Sequence, residues 1–167
     1  FTGGFSNNFS YHNFDLGSLF TFVSGNKIFN DAGRFMSAGF AGGFDNQTKD
    51  ILNAWKNPGD ITNVPRSGAY NSTGERYSSR WLYNGSYIRL RQVMLGYTLN
   101  KIKWEGISSI RLYVAGMKLW TKTDYISDPE VNAIGTGGTR VPNVVGGIDF
   151  YTIPQPKTIT FGLNVKF

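Results

Sequence analysis

The last eleven residues, Lys157 to Phe167 (KTITFGLNVKF), alternate without a fault. Ile159, Phe161, Leu163, Val165 and Phe167 fall on one side; Thr158, Thr160, Gly162, Asn164 and Lys166 fall on the other. A period of two is the pattern of a strand with one apolar and one polar surface. The length also matches the roughly 9–11 residues with which a tilted strand crosses a bilayer. A strand whose apolar face carries no charge must set that face against a core or against lipid.

Four further segments read the same way, so strands are expected at about 1–11, 14–23, 84–99, 107–121 and 157–167. Phe1, Phe5, Phe9 and Tyr11 share a face, as do Phe14, Leu16, Phe20 and Phe22. His12-Asn13 then forms a two-residue hairpin connection, in which Asn suits the positive φ that such turns demand. In the third strand the phase changes. Ile88 and Leu90 are even, whereas Val93, Leu95, Tyr97 and Leu99 are odd. A one-residue slip turns every side chain over, so a β-bulge near Arg91-Gln92 is needed to keep one apolar face. The fourth strand sets Ile110, Leu112 and Val114 against Arg111, Tyr113 and Ala115, and its pattern blurs after Gly116.

Two long segments, 24–80 and 124–156, show no strand alternation and are expected to be extracellular loops. Within the first, Asp45 to Lys56 reads as a short helix, capped by Asp45 or Asn46, striped with Ile51, Leu52 and Trp55, and ended by Asn57-Pro58-Gly59. The glycines at Gly135, Gly137 and Gly138 lack the following helix and lysine of a phosphate-binding loop.

Composition excludes several classes. There is no cysteine and a single histidine, His12, so zinc, disulfide and most transition-metal frameworks fall away, and no metal or cofactor is expected. No apolar run approaches the roughly 20 residues of a spanning helix. Charged residues make up 17% of the chain, against about 25% in ordinary soluble domains. The net charge of +6 is scattered without a basic run, so nucleic acid is not an expected partner. The start, Phe1-Thr2-Gly3-Gly4, carries neither initiator Met nor signal peptide and reads as a mature product or a fragment.

Short turns at one end, long loops at the other and amphipathic strands of spanning length are the pattern of an outer-membrane barrel, with Trp104 near the short-turn interface and Trp81, Tyr83 and Trp120 near the other. The competing reading is a soluble β-sandwich, whose solvent-facing strands would be studded with charge. Five strands cannot close a barrel, and bacterial single-chain barrels have even strand numbers. The expectation is therefore a piece of a larger, all-β transmembrane antiparallel barrel.

The ordered landmarks carry a family resemblance. They are Gly3-Gly4-Phe5-Ser6-Asn7, Phe14-Asp15-Leu16, Gly25-Asn26-Lys27-Ile28-Phe29-Asn30 and Pro65-Arg66, followed by Gly85-Ser86-Tyr87-Ile88-Arg89-Leu90-Arg91 and Leu95-Gly96-Tyr97-Thr98-Leu99. Asp128-Pro129-Glu130-Val131 and Pro154-Gln155-Pro156-Lys157 through Phe167 complete them. Their order and spacing resemble the C-terminal part of the SusC/RagA-type TonB-dependent outer-membrane transporters of Bacteroidetes. One departure is Lys118, where the family usually has Asn. The resemblance implies the last five strands of a barrel of about 22 strands, with the plug domain absent from this chain. It also implies a SusD-like lipoprotein lid, coupling to TonB through the missing N-terminal region, and oligosaccharide or, in some members, peptide as substrate. A pore or adhesin barrel without TonB coupling is the alternative of another class.

Import requires no covalent chemistry, so no catalytic residue is expected. Asp128 and Glu130 lack the geometry of a glycosidase pair. Arg89, Arg91 and Arg111 on the lumen side, with the loop aromatics Trp55, Tyr70 and Tyr125, are the candidate substrate contacts: guanidiniums bond hydroxyls or carboxylates, and rings stack on sugars. The more ordinary role for the arginines is pairing with acids on neighbouring strands or on the plug. Phe161, Leu163, Val165 and Phe167 resemble the C-terminal signal read by the barrel assembly machinery, with interfacial anchoring as the simpler role.

Overall fold

A computed structural model describes residues 1–39, 46–68, 76–100, 106–131 and 147–167. Asp45, Tyr70, Trp104 and the glycines from Gly135 to Gly138 lie outside the described residues. The chain divides into a wall unit (Phe1–Asn26, Gly85–Asp128, Pro154–Phe167) and a loop unit (Lys27–Asn84, Pro129–Ile153).

The wall unit is a five-stranded antiparallel sheet of β1 (Thr2–Tyr11), β2 (Phe14–Val23), β5 (Tyr87–Leu99), β6 (Ser109–Thr123) and β8 (Thr158–Lys166), paired in that order. Its register explains why these sequences form one surface. Phe9, Leu16, Leu95, Val114 and Phe161 stand opposite one another in a single row across all five strands. Tyr11, Phe14, Tyr97, Leu112 and Leu163 make the next row. The intervening row on the other face reads Ser10, Asp15, Gly96, Tyr113 and Gly162. The apolar rows are bare: Phe161 is 80% exposed and Phe9 64%. Leaving such area in water forgoes about 25 cal/mol per Å² of stabilisation, and a contiguous bare patch of this kind is made for an apolar medium.

The register breaks where the phase change places it. Leu19 and Phe20 of β2 face Gln92 and Leu90, which leaves Arg91 as the extra residue of β5. Strand β6 answers at the same level: Trp120 pairs with Leu90 and Met117 with Gln92, and Lys118 between them adopts φ 54°. The double bulge returns Ile88, Leu90, Val93, Leu95 and Tyr97 to one face. In the β1–β2 hairpin the positive φ falls on His12 (52°), where Asn13 was expected to take it.

The loop unit holds more regular structure than the sequence foretells. Strands β3 (Lys27–Asn30), β4 (Leu82–Asn84) and β7 (Ile148–Asp149) form a second sheet in the order β4-β3-β7, with β3 and β7 parallel. Helix α1 (Asp31–Met36) follows β3, and the Asn30 side chain caps it by accepting the Gly33 N–H at 2.7 Å. Ile28, Ala32, Ala54, Val64 and Trp81 are buried in this unit. Trp81, expected at a membrane interface, is a core residue at 3% exposure, whereas Trp120 stands half-exposed on the apolar face of the wall.

The helix expected over Asp45 to Lys56 is corrected to a five-residue 3-10 turn, Lys49–Asn53. Ala54 is already extended, and Leu52 of the supposed stripe is 72% exposed. Without a core under that stripe, a helix so short has no packing to hold it. The Asn57-Pro58-Gly59 stop is a turn closed by Asp60, whose carboxylate accepts the N–H groups of Lys56 (3.0 Å) and Asn57 (2.9 Å). Those donors, Asn57 first and Lys56 second, hold the exposed Asp60 carboxyl below its ordinary pKa.

Candidate functional site

The polar face of the wall is built from side chains that alternate with the apolar rows. Ser6, Asn8, Gly17, Leu19, Gln92 and Met94 border a shallow cavity of about 180 Å³ on the wall unit. Two arginine–aspartate pairs occupy opposite ends of the β5–β6 ladder, since Arg89 stands opposite Thr121 and Arg111 opposite Thr98.

Arg89 is 3% exposed. Its Nη2 donates to Asp128 Oδ1 at 2.6 Å and its Nε donates to Thr121 Oγ1 at 2.9 Å. The other Asp128 oxygen accepts the Gln155 N–H at 3.0 Å. Buried charge is tolerated only when it is paired and hydrogen-bonded, and here both partners meet that condition.

Arg111 of β6 reaches across β5 to Asp15 of β2, donating through Nη2 (2.5 Å) and Nε (3.1 Å). The intervening strand permits this because Gly96 has no side chain. A Cβ there would stand 2.5 Å from both Arg111 Nη2 and Asp15 Oδ1. Glycine in a strand marks a close approach, and the approach here is between two side chains that arch over it. Tyr113 shares the face, with its ring over Gly162 and the Arg111 guanidinium 5.4 Å from its centroid.

Of the other candidates, Arg91 is the half-buried extra residue of the β5 bulge. Tyr125 is buried at 5% exposure in the wall unit, its N–H bonded to Thr123 Oγ1. Trp55 is half-buried in the loop unit, its N–H bonded to the Val64 carbonyl at 2.9 Å. Tyr70 is outside the described residues. Phe161, Leu163 and Val165 lie on the apolar face of β8, and Phe167, just beyond it, is 86% exposed. Sequence reasoning placed Arg89 and Arg111 on the polar face but could not choose their acids. Asp15 becomes visible as a partner only once β2 and β6 are known to flank β5. Asp128 stands five residues past the end of β6, where no periodicity points to it. Among the described residues there is no cluster of metal-ligating side chains.

No family model matches the chain. Among curated proteins it is 38% identical over 170 residues to TonB-dependent receptor P3 of Formosa agariphila, and 31% identical over 167 residues to TonB-dependent receptor P26 of the same organism. It spans 16% of the length of each, so it corresponds to about one sixth of these relatives. Among solved structures it superposes on the RagAB peptide importer, in closed-closed and open-open states, with TM-score 0.76 and 27% identity over 99% of this chain and 17% of that one. These names describe receptors and an importer, not enzymes. An antiparallel wall with one bare apolar surface, matched along nearly its whole length by such proteins, identifies the chain as a segment of a SusC/RagA-type TonB-dependent receptor of the outer membrane.

Proposed function

We propose that the whole receptor imports nutrients across the outer membrane. Oligosaccharides are the first reading of its cargo, a SusD-like lipoprotein covers its outer opening, and TonB drives it through the region absent from this chain. The observation that carries the reading is the run of apolar rows continuous across five strands, backed by a polar row on the opposite face. This segment contributes wall and loops. Lipid meets the rows through Phe9 and Phe161, and the plug and the rest of the barrel complete the lumen. Arg111 is the arginine best placed to meet cargo, because its pair with Asp15 is the more open of the two. Arg91, Trp55 and Tyr70 are further proposed contacts, while Arg89 and Tyr125 act from buried positions that hold the wall together. A peptide cargo is the second reading, favoured by the likeness to the RagAB peptide importer.

A strain lacking the whole receptor, complemented with the full-length gene, tests both readings by growth on oligosaccharides or on oligopeptides as sole carbon source. Rescue on oligosaccharides alone supports the first and rescue on peptides alone the second; rescue on neither removes the importer reading. Phe167 is proposed to present the assembly signal with Phe161, Leu163 and Val165. Deleting Phe167 then lowers outer-membrane insertion, and unchanged insertion leaves it as an anchor.

A further inference from the structure

The chain leaves the wall unit and returns to it twice, at Asn26 and Gly85 and again at Asp128 and Pro154. Each exit is tied to its own return. Gly85 N–H donates to the Asn26 carbonyl at 3.0 Å and Gly25 N–H to Ser86 Oγ at 3.1 Å. At the second crossing the Asp128 carboxylate takes the Gln155 N–H while Arg89 holds its other oxygen. The two crossings are also joined to each other. Thr123 Oγ1 donates to the Ser86 carbonyl at 3.0 Å and accepts the Tyr125 N–H at 3.1 Å, so one hydroxyl bridges the return of the first connection and the exit of the second. Arg89 closes the ring from beneath: it belongs to β5, three residues beyond Ser86, and its charge ends on Asp128.

We propose that these residues form a single collar that couples the two long connections, with Asp128 and Thr123 as its positioning residues. Displacing one connection is then felt at the feet of the other. The network is made wholly of wall residues. Arg89 and Asp128 have side chains 4% and 7% exposed within this chain alone, and neighbouring strands can only deepen that burial. A buried pair that also carries hydrogen bonds responds as a unit when one member is removed. Coupling of this kind is reciprocal and is tested by its loss when the link is cut. The inference concerns how the wall ends of the two connections are tied together and does not depend on which cargo is carried.

The test is hydrogen exchange, read by mass spectrometry, on the full-length receptor in detergent micelles. For Asp128→Asn, exchange is expected to rise by about tenfold or more at Gln155, and by at least about threefold in the peptides holding Gly25 and Gly85, with the β1–β2 hairpin unchanged. In Thr123→Val one of the links is cut while Arg89 still carries the other. Adding Asp128→Asn then raises exchange at Gly25 and Gly85 by less than it does in the parent, and an undiminished rise removes Thr123 from the collar. A response confined to Gln155 overturns the collar, as does equal acceleration of the β1–β2 hairpin, which would mean that the wall has loosened as a whole. Should Asp128→Asn fail to assemble, Arg89→Lys is measured by the same criteria.

Discussion

The two arginine–aspartate pairs on the polar face have the same chemistry and opposite circumstances. Arg89–Asp128 is almost sealed, whereas Arg111–Asp15 keeps a quarter of the arginine and about a third of the aspartate in contact with solvent. The first joins a strand to the segment beyond the next strand and carries two further hydrogen bonds. The second arches over a glycine to join strands that are not neighbours. Identical residue types on one face thus divide into a structural tie and an accessible charge pair. The dividing variable is how much water each retains.

The largest effect expected from that contrast is at the sealed pair. Arg89→Met takes the arginine away from the buried Asp128 carboxylate and costs about 3–5 kcal/mol. Urea unfolding of the full-length receptor in detergent checks this, and a loss below about 1 kcal/mol would place Arg89 with the ordinary surface pairs. The open pair is expected to be weak. Asp15→Asn costs about 0.2–1 kcal/mol, with the cost shrinking as salt rises. Gly96→Ala acts on the same pair by forcing its two tips apart, so in an Asp15→Ala background, where one tip is gone and the arginine is free to move, it should add less than it does in the parent. A double-mutant cycle reads this directly, and full additivity would mean that the glycine serves something else.

A gain is expected at the bulge. Lys118→Asn relieves a lysine from the left-handed region, where Asn is better tolerated, and raises stability by about 0.5 kcal/mol. The smallest effect belongs to Asp60. Its carboxyl titrates below the ordinary value in the fold, so the turn it closes is fully supported above the unfolded pKa and loses that support as pH falls through the folded pKa. Exchange at Lys56 and Asn57, corrected for intrinsic rates, should therefore accelerate at acidic pH in the parent but not in Asp60→Asn.

The wall was legible because its signal is local and repeated. Alternation over ten or more residues fixes which way each side chain points, and the phase change between Leu90 and Val93 can be resolved only by an extra residue. The loop unit was not legible, for equally physical reasons. Strands of two to four residues are too short to show a period, and β7 joins β3 in parallel across more than a hundred residues of chain. Helix α1 carries a readable cap in Asn30, but six residues give no stripe. Trp81 could be counted among interfacial aromatics only while nothing was known of the core it fills. Arg89 was readable as lumen-facing, but its partner was not, because Asp128 reaches it from irregular chain rather than from a facing strand.

Among the described residues strands β1 and β8 each have a sheet partner on one side only, and the β8 flank carries Phe161, Leu163 and Val165 uncovered. Such a border is a template: its open N–H and C=O groups accept any extended chain, including another copy of the same sequence. Expressed without the remainder of its receptor, this segment should therefore zip border to border into polymers unless micelles and a complementary strand are supplied. An added peptide that caps one border would terminate that growth, much as the adjoining strand does in the finished cylinder.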